Sequence, residues 1–329
     1  MKNEFVKEGM LLMVLAVLSA CFLSGCGKGA AAGKKDLRIF MTVNSIDAFR
    51  QTIVDAAQAK AAEEGIQMDV ADAHGSIEEQ VEQIKKAEAE KYDVILCSAV
   101  ARDTAVQLKM SAGDIPIVFF NSCPEDKHLS TGKYMFVGSD EQVAGQFQAE
   151  YVLGALSGRQ EINVALIKGP KGHSATNGRT AGAKKAFEES GKKINYVFED
   201  NADWSTEKSQ EIFSTFLRTG MPVDCVICNN DSMALGIVEA CKNAGIDLGS
   251  LPILGVDATA DGCAAIEEGS MAFTVYQPGA GQGEAAIEMA IALAEGRSTK
   301  ELEEIAPDGR HVYIDFEKVD PQNVSNYIK

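Results

Sequence analysis

The stretch INVALIKGPKGHSATNGR, residues 162–179, contains the pattern that decides the fold. Its first part, INVALIKG (162–169), is an apolar run of strand length. A loop with glycines leads from it into a segment that predicts a helix over residues 178–190. A strand, a loop and a helix in this order form the repeating unit of a parallel α/β sheet.

This unit recurs in two successive sets along the chain. In the first set, strand-like runs alternate with helix-like segments and end at MFVGS (135–139). A long helix follows, and a second set begins at residue 162. Two such sets predict two Rossmann-like lobes, each with a doubly wound parallel sheet. The predicted strands are 37–43, 66–73, 92–99, 115–121 and 135–139 in the first set, and 162–169, 194–200, 224–230 and 252–258 in the second.

The tail of the chain is too short for a third set. It contains strand-like segments at 272–278 and 311–316 and a predicted helix at 283–295, which would complete the two sheets. We therefore expect the chain to cross between the lobes more than once. The predicted boundaries place residues 37–139 and 279–306 in the N-terminal lobe, and residues 140–278 and 307–329 in the C-terminal lobe.

The first 36 residues precede this fold. The apolar run MLLMVLAVL (10–18) follows Lys2 and Lys7, and it is too short to span a bilayer as a helix. Such a run is typical of a secretion signal. The sequence LSGC (23–26) resembles the lipobox of bacterial lipoproteins, which implies a signal peptide over 1–25 and lipidation of Cys26. Residues 26–36 would then be the lipidated cysteine and a flexible tether, while an ordinary signal cleavage remains the alternative.

The composition disfavours a nucleic-acid-binding protein. Of the 329 residues, 46% are hydrophobic and 24% charged, which is ordinary for an α/β protein, and the formal net charge is −17. A nucleic-acid-binding protein normally has a basic face.

The cysteines favour buried thiols over a metal or redox site, although disulfides remain an alternative in an exported protein. Cys225 and Cys228 form a C-x-x-C motif within an apolar strand, DCVICNN (224–230). Residues three apart on a strand point to opposite faces, so the two thiols cannot bind one metal ion there. Six cysteines lie beyond Cys26: Cys97, Cys123, Cys225, Cys228, Cys241 and Cys263.

Polar and aromatic side chains follow the carboxyl ends of the predicted strands, where ligands bind in such sheets. Helix caps or core packing would explain each one separately. Their joint occurrence predicts a site in which amides, carboxylates and a guanidinium bind hydroxyls and aromatic rings cover a sugar. These residues are Asn44, Asp47, Phe49, Asn121, His173–Arg179, Asp203, Trp204, Asn229, Asn230, Asp231, Asp257 and Gln277.

The loop at 168–179 does not match known catalytic motifs. Gly172 is followed by His173 where a Walker A loop needs lysine, and no G-x-S-x-G elbow occurs in the chain. Asp47 and Asp257 are a conceivable glycosidase pair, but Arg179 beside them would favour their ionised forms and oppose a general acid. We therefore expect no enzymatic activity and no catalytic residues.

Several motifs together make the chain from Leu37 onward resemble the type I periplasmic sugar-binding proteins of ABC transporters. The resemblance is to the galactose/glucose-binding branch, with ribose-binding proteins close by. It implies two lobes joined by three hinge strands, with a monosaccharide bound between them. The motifs are VFFN (118–121), VALIKG (164–169), DNADW (200–204), NNDSMALG (229–236), GVDA (255–258) and TVYQ (274–277).

The resemblance also implies residue roles. Asp47 and Asn121 would bind hydroxyls, while Phe49 and Trp204 would enclose the sugar ring. The remaining contacts would come from His173, Arg179, Asn230, Asp257 and Gln277. Ala175 stands where the galactose/glucose branch has an aspartate. The calcium loop of that branch is missing after the long helix, so we expect no metal site and no cofactor.

These observations predict a monomeric, lipid-anchored lipoprotein on the outer face of the cell membrane. It would capture a glucose- or galactose-like hexose and, once its lobes close, deliver it to an ABC transporter permease. The first alternative is a sensor that presents the closed form to a chemoreceptor or histidine kinase. The second is a glycosidase-like enzyme.

Overall fold

The computed structural model describes residues 37–302 and 304–328, so the predicted signal peptide, Cys26 and the tether lie outside the described residues.

The first lobe is built on a six-stranded parallel sheet. The strand order is β11-β5-β4-β3-β1-β2. Its strands are β1 (Arg38–Val43), β2 (Gln67–Asp72), β3 (Val94–Cys97), β4 (Ile117–Phe120), β5 (Tyr134–Gly138) and β11 (His311–Tyr313), and its helices are α1 (Ala48–Glu63), α2 (Ile77–Ala89), α3 (Ala105–Ala112) and α9 (Gly279–Ala294).

The second lobe has a parallel sheet in the order β7-β6-β8-β9. Strand β10 continues it beside β9 through backbone bonds such as Asp257 N–H to Val275 O, at 2.8 Å, and β12 pairs antiparallel with β10. Its strands are β6 (Glu161–Lys168), β7 (Lys193–Asn201), β8 (Cys225–Cys228), β9 (Ile253–Leu254), β10 (Thr274–Tyr276) and β12 (Glu317–Val319), and its helices are α4 (Glu141–Ala155), α5 (Ser174–Glu189), α6 (Thr206–Leu217), α7 (Asp231–Ala244) and α8 (Ala260–Glu267).

The chain crosses between the lobes after β5, after β10 and after β11. The number of crossings agrees with the three hinge strands that the resemblance implies. One predicted boundary is wrong. Residues 307–313 were expected in the C-terminal lobe, but β11 pairs parallel with β5, with His311 beside Phe136 and Tyr313 beside Gly138. The third crossing therefore lies after Tyr313, and Phe316 is the residue that enters the core of the second lobe.

Alternating side chains fill a core on each face of both sheets. In β1, Ile39 and Met41 pack against α1 and α9, whereas Phe40 lies on the opposite face. In β8, Cys228 belongs to one core and Cys225 to the other. The C-x-x-C thiols thus point to opposite faces as predicted, and all six cysteines of the described chain are free.

Local signals set the helix ends. Ser76 caps α2, because its Oγ accepts a hydrogen bond from Glu79 N–H at 3.1 Å. Two predicted helix starts were too late. Helix α5 begins at Ser174 rather than residue 178, and α9 begins at Gly279 rather than residue 283. In both helices, glycines near the start favoured a loop in the sequence-based prediction.

Helices α4 and α5 pack with their backbones in contact. A Cβ atom on Gly145 would lie 1.8 Å from Arg179 O, and one on Gly182 would lie 2.0 Å from Gln142 O. Glycine is therefore required on both helices at this contact. Within residues 37–302 and 304–328, the helices all fall short of the length and apolar character that a membrane span needs.

Candidate functional site

The start of α1 brings two charged residues to the first-lobe side of a pocket between the lobes. Asp47 caps the helix, since its Oδ1 accepts a hydrogen bond from Arg50 N–H at 2.8 Å. The Arg50 guanidinium contacts the other carboxylate oxygen of Asp47. Phe49, between them in sequence, is partly buried against the first-lobe core.

Asn121 enters the same pocket from the end of β4. Its backbone has a φ of +56°, a left-handed conformation that asparagine tolerates better than most residues. Its N–H still donates to Val137 O at 3.0 Å, so the turn starts directly from the sheet. This turn of the backbone places the side-chain amide of Asn121 in the lining of the pocket.

His173 is the N-cap of α5, and this role determines its tautomer. Its Nδ1 accepts a hydrogen bond from Ala175 N–H at 3.2 Å, so the proton of the neutral ring lies on Nε2. Burial, followed by Arg50 and Arg179, lowers the pKa of His173 to about 3. Nε2 is buried without a hydrogen-bond partner in the described chain. His173 therefore offers a neutral donor to the pocket.

Arg179 lies beneath the pocket, with only 4% of its side chain exposed. Its Nε donates to Glu141 at 2.7 Å, one Nη to Asn229 O at 2.6 Å and the other to Gln277 Oε1 at 3.0 Å. Glu141 follows the first crossing and Gln277 precedes the second, so one guanidinium links two of the three crossings.

Asp257 reaches the pocket from the end of the strand that follows α7. Its carboxylate lies 3.6 Å from Arg179 Nη1, and its backbone φ is +119°. A non-glycine residue in this region is strained, and such strain persists where surrounding contacts enforce it. Burial raises the pKa of Asp257 well above its usual range, although Arg179 opposes this shift. The expectation that Arg179 would favour the ionised form of Asp257 is therefore wrong, because burial outweighs the nearby cation.

Asn230 is the N-cap of α7. Its Oδ1 accepts a hydrogen bond from Met233 N–H at 3.0 Å, which leaves the amide NH₂ to face the pocket. Asn229, also singled out in the sequence, has a different role. Its Oδ1 accepts from Gly169 N–H at 3.2 Å and so anchors the loop after β6.

Trp204 forms a wall of the pocket. Its ring meets His173 edge-on, with centroids 5.5 Å apart and an interplanar angle of 86°. The ring packs directly on the loop after β6, because a Cβ on Gly169 would lie 2.2 Å from Trp204 Cη2. Trp204 itself has a left-handed φ of +67°, which turns the indole back towards the cleft.

One pocket brings together the nine residues to which the resemblance assigned ligand contacts, whereas Asn44, Asp203, Asn229 and Asp231, which also follow strand ends, do not line it. Sequence reasoning missed two members of this site: Arg50, which lines the pocket, and Glu141, which pairs with Arg179. Arg50 was detectable as the residue one helical turn after Asp47, whereas Glu141 resembled an ordinary acidic residue in the first turn of a helix. The pocket is lined by Asp47, Phe49, Arg50, Asn121, His173, Ala175, Arg179, Trp204, Asn230, Asp257 and Gln277.

The expectation that Arg179 lies beside both Asp47 and Asp257 is partly wrong. Asp257 lies 3.6 Å from Arg179, but the nearest carboxylate of Arg179 is Glu141, and Asp47 pairs with Arg50. Each lobe thus pairs one arginine of the pocket with a carboxylate, Arg179 with Glu141 and Arg50 with Asp47. The arrangement offers neutral donors, acceptors and aromatic faces, which suits binding of an uncharged polyhydroxylated ring.

The comparison with known families agrees with this geometry. The model of the periplasmic binding protein domain matches residues 38–298, which is most of the chain. The chain belongs to the periplasmic binding protein family. The type I fold inferred from the sequence is confirmed, and membership indicates an exported protein.

Three relatives of this periplasmic binding protein are informative. It is 30% identical over 267 residues, 80% of this chain and 83% of the relative, to the "Putative rhizopine-binding protein" of Rhizobium meliloti. It is 27% identical to the D-galactose/methyl-galactoside binding periplasmic protein of Haemophilus influenzae, covering 95% of this chain and 99% of that one. These are solute-binding proteins, so the prediction that the chain is not an enzyme is confirmed.

The third relative is a solved structure. An ABC transporter solute-binding protein from Bacillus halodurans with bound myo-inositol is 28% identical and superposes with a TM-score of 0.79. The match covers 90% of this periplasmic binding protein and 99% of the other chain. The similarity therefore extends over both lobes.

Proposed function

We propose that this protein captures a monosaccharide, with a glucose- or galactose-like hexose favoured, and delivers it to an ABC importer. The single observation that carries the proposal is the convergence of nine predicted polar and aromatic side chains on one pocket between two lobes. Closure of the lobes around the sugar would create the form that the permease recognises.

The protonation and charge state of the pocket favours an uncharged ligand. His173 remains neutral above a pKa of about 3, and Asn230 uses its oxygen for the helix cap, so both offer N–H donors. Arg179 faces Glu141 and Arg50 faces Asp47, while the raised pKa of Asp257 favours the neutral form of the third carboxyl group in the pocket. A charged ligand would leave one buried charge unmatched, whereas hydroxyl groups would not.

We favour a six-membered ring on the basis of two of the relatives reported above, while other relatives are named for ribose. One relative is named for galactose and methyl-galactoside, and one solved structure holds myo-inositol. Ala175 is buried at the pocket and offers no acceptor where the resembling branch has an aspartate. We therefore expect weak selection at the anomeric end of a hexose, so that a methyl glycoside or a 1-deoxy analogue binds comparably.

Lipidation at Cys26 and a monomeric state belong to the same proposal. The LSGC sequence (23–26) supports an anchor on the outer face of the membrane, where a binding protein meets its permease. Replacement of Cys26 by alanine should release the protein from the membrane fraction or block its maturation. A variant that matures normally and stays membrane-bound would contradict the anchor.

Titration calorimetry tests the ligand. The panel comprises glucose, galactose, ribose and myo-inositol, together with the methyl glycoside and 1-deoxy form of the preferred hexose. We expect one hexose to bind, and its 1-deoxy form to bind nearly as well, whereas Ala175→Asp should increase the preference for the free hexose. A 1000-fold preference of the natural protein for the free hexose, about 4 kcal/mol, would contradict the role given to Ala175. Absence of binding by every sugar would overturn the proposed function.

Delivery is tested separately in cells. Deletion of the gene should abolish uptake of the radiolabelled sugar at concentrations near the dissociation constant. Unchanged uptake, together with loss of a transcriptional or chemotactic response to the sugar, would favour the sensor.

A further inference from the structure

Three potential metal ligands converge at the edge of the first lobe, outside the sugar pocket. They are Cys123, in the loop after β4, Asp126, three residues further on, and His311 on β11. Cys123 Sγ lies 4.0 Å from His311 Nε2, and Asp126 Oδ1 lies 3.8 Å from the same nitrogen. None of the three lines the pocket that contains Arg179.

The His311 ring is oriented by neighbours on every side. Its Nδ1 is 2.6 Å from Asp308 Oδ2, so the ring donates this proton and presents Nε2 as an acceptor towards Cys123. The ring stacks on Tyr313, with centroids 5.3 Å apart, and meets Phe136 edge-on. A carboxylate behind the distal nitrogen is the arrangement that orients metal-binding histidines in proteins.

The spacing suits a small divalent ion. Bond lengths of about 2.3 Å to sulfur and about 2.0 Å to nitrogen, at a tetrahedral angle, separate the two ligand atoms by roughly 3.5 Å. The observed sulfur-to-nitrogen separation is 4.0 Å, so a contraction of about half an ångström would complete the geometry. Asp126 is exposed and its side chain can follow, while Arg310 holds its backbone by donating to Asp126 O at 2.9 Å.

We propose, in place of the sequence-based expectation of no metal site, that Cys123, Asp126 and His311 form a binding site for Zn²⁺ or a chemically similar divalent transition metal. The ligands would be a thiolate, an imidazole nitrogen and a carboxylate oxygen, with water at the fourth position. Thiolate and imidazole favour such ions over Ca²⁺ and Mg²⁺, which require oxygen ligands. Binding converts the Cys123 thiol to a thiolate and releases its proton to solvent.

The site would brace a loop that also serves the sugar pocket. Asn121, which lines the pocket, is two residues before Cys123. Cys123 N–H also donates to Ser174 Oγ at 3.2 Å, and Ser174 follows the pocket residue His173 at the start of α5 in the second lobe. A metal ion at Cys123 would therefore fix a segment that contacts both the first-lobe strand β11 and the second lobe.

Cobalt spectroscopy on the full chain tests the site without any sugar. After treatment with a chelator, titration with Co²⁺ should produce a thiolate-to-cobalt charge-transfer band and visible bands typical of tetrahedral cobalt, and Zn²⁺ should displace both. The Cys123→Ser variant, which retains every other cysteine, should lose the charge-transfer band. Asp308→Asn should weaken Co²⁺ binding roughly 10- to 100-fold while the spectrum at saturation is retained.

His74→Ala is the matched control, because His74 is an exposed histidine paired with Asp72 at 3.4 Å and should have no role at this site. Circular dichroism confirms that each variant is folded before titration. Co²⁺ binding that lacks a charge-transfer band, or that is unchanged in Cys123→Ser, would overturn the proposal. Loss of binding in His74→Ala but not in Cys123→Ser would instead assign the ion to the protein surface.

Discussion

The second-lobe half of the pocket contains an ion pair that is buried at both partners, whereas the ion pair of the first-lobe half is open to solvent at its carboxylate. Arg179 and Glu141 have side-chain exposures of 4% and 10%, while Arg50 is 9% exposed and its partner Asp47 is 51% exposed. The bonds of Arg179 join α4, the loop after β8 and the end of β10, while those of Asp47 stay at the start of α1. Recognition in the second lobe therefore depends on the packing of three segments, whereas in the first lobe it depends on the start of one helix.

Removal of Arg179 should have the largest effect. In Arg179→Ala, the carboxylates of Glu141 and Asp257 remain buried without their cation, so the free energy of unfolding should fall by about 3–5 kcal/mol. Sugar binding should weaken by about 2–5 kcal/mol. Urea unfolding and calorimetry measure the two effects.

The matched control for this variant is Arg159→Ala in the same lobe. Arg159 pairs with Asp224 at 2.5 Å, but its own side chain is 56% exposed. Its loss should reduce the free energy of unfolding by no more than about 1 kcal/mol. Equal losses in the two variants would show that burial of the Arg179 ion pair adds nothing to the stability of the second lobe.

The pH dependence of stability should reveal a third buried carboxylate in the second lobe. Burial raises the pKa of Asp231 to about 6, even though Thr274 and Thr259 donate hydrogen bonds to its carboxylate. The folded state then holds a proton that the unfolded state releases near pH 4. This proton contributes about 3 kcal/mol below pH 4, and the contribution is lost as the pH rises through 6.

Urea unfolding at several pH values checks this prediction. As the pH rises from about 4 to about 6, the unfolding free energy of the natural protein should fall steadily relative to that of Asp231→Asn. A difference that is independent of pH in this range would show that Asp231 titrates alike in both states.

The two aromatic residues allow the lobes to be compared with the same substitution. Trp204→Ala should weaken sugar binding by about 1–3 kcal/mol through lost contact with the ring. Phe49→Ala should have a similar effect on binding. Because Trp204 is the only tryptophan of the chain, a saturating sugar should change the emission of the natural protein. Unchanged emission, with binding confirmed by calorimetry, would contradict contact between Trp204 and the sugar.

The smallest effect is expected at the cap of α1. Asp47→Ala should weaken sugar binding and lower the free energy of unfolding by about 1 kcal/mol through loss of the cap, since Arg50 N–H loses its acceptor, and by a further amount because the buried Arg50 guanidinium loses its carboxylate. Asp47→Ser should restore the cap and its share of the stability, but neither the ion pair nor the affinity for sugar. Ser76→Ala, at the cap of α2, should show only the loss of about 1 kcal/mol due to the cap, with unchanged binding. Full recovery of affinity in Asp47→Ser would limit the role of Asp47 to capping.

The alternation of strands and helices was predictable because each segment carries its own hydrophobic pattern. The location of the pocket could then be predicted, because parallel strands end at a common edge of the sheet. The resemblance supplied the roles expected of the nine pocket residues from Asp47 to Gln277. The start of α5 was missed because His173 caps it through a ring nitrogen, which is an unusual cap.

Features that depend on distant partners were not predictable in the same way. The position of β11 depends on its pairing with β5, which a three-residue strand does not encode locally. Glu141 became recognisable only when α4 was placed against Arg179. Cys123 and His311 are 188 residues apart in sequence, so their proximity is visible only in the folded chain.

The glycine contact between α4 and α5 has a consequence for how this protein can diverge. Any side chain at Gly145 or Gly182 would push the helices apart and separate Arg179 from Glu141. Natural variation that changes the preferred ligand is therefore expected at positions such as Ala175, while the glycines and the ion pair beneath them persist. Among descendants of a common ancestor, these glycines should outlast the residues that touch the ligand.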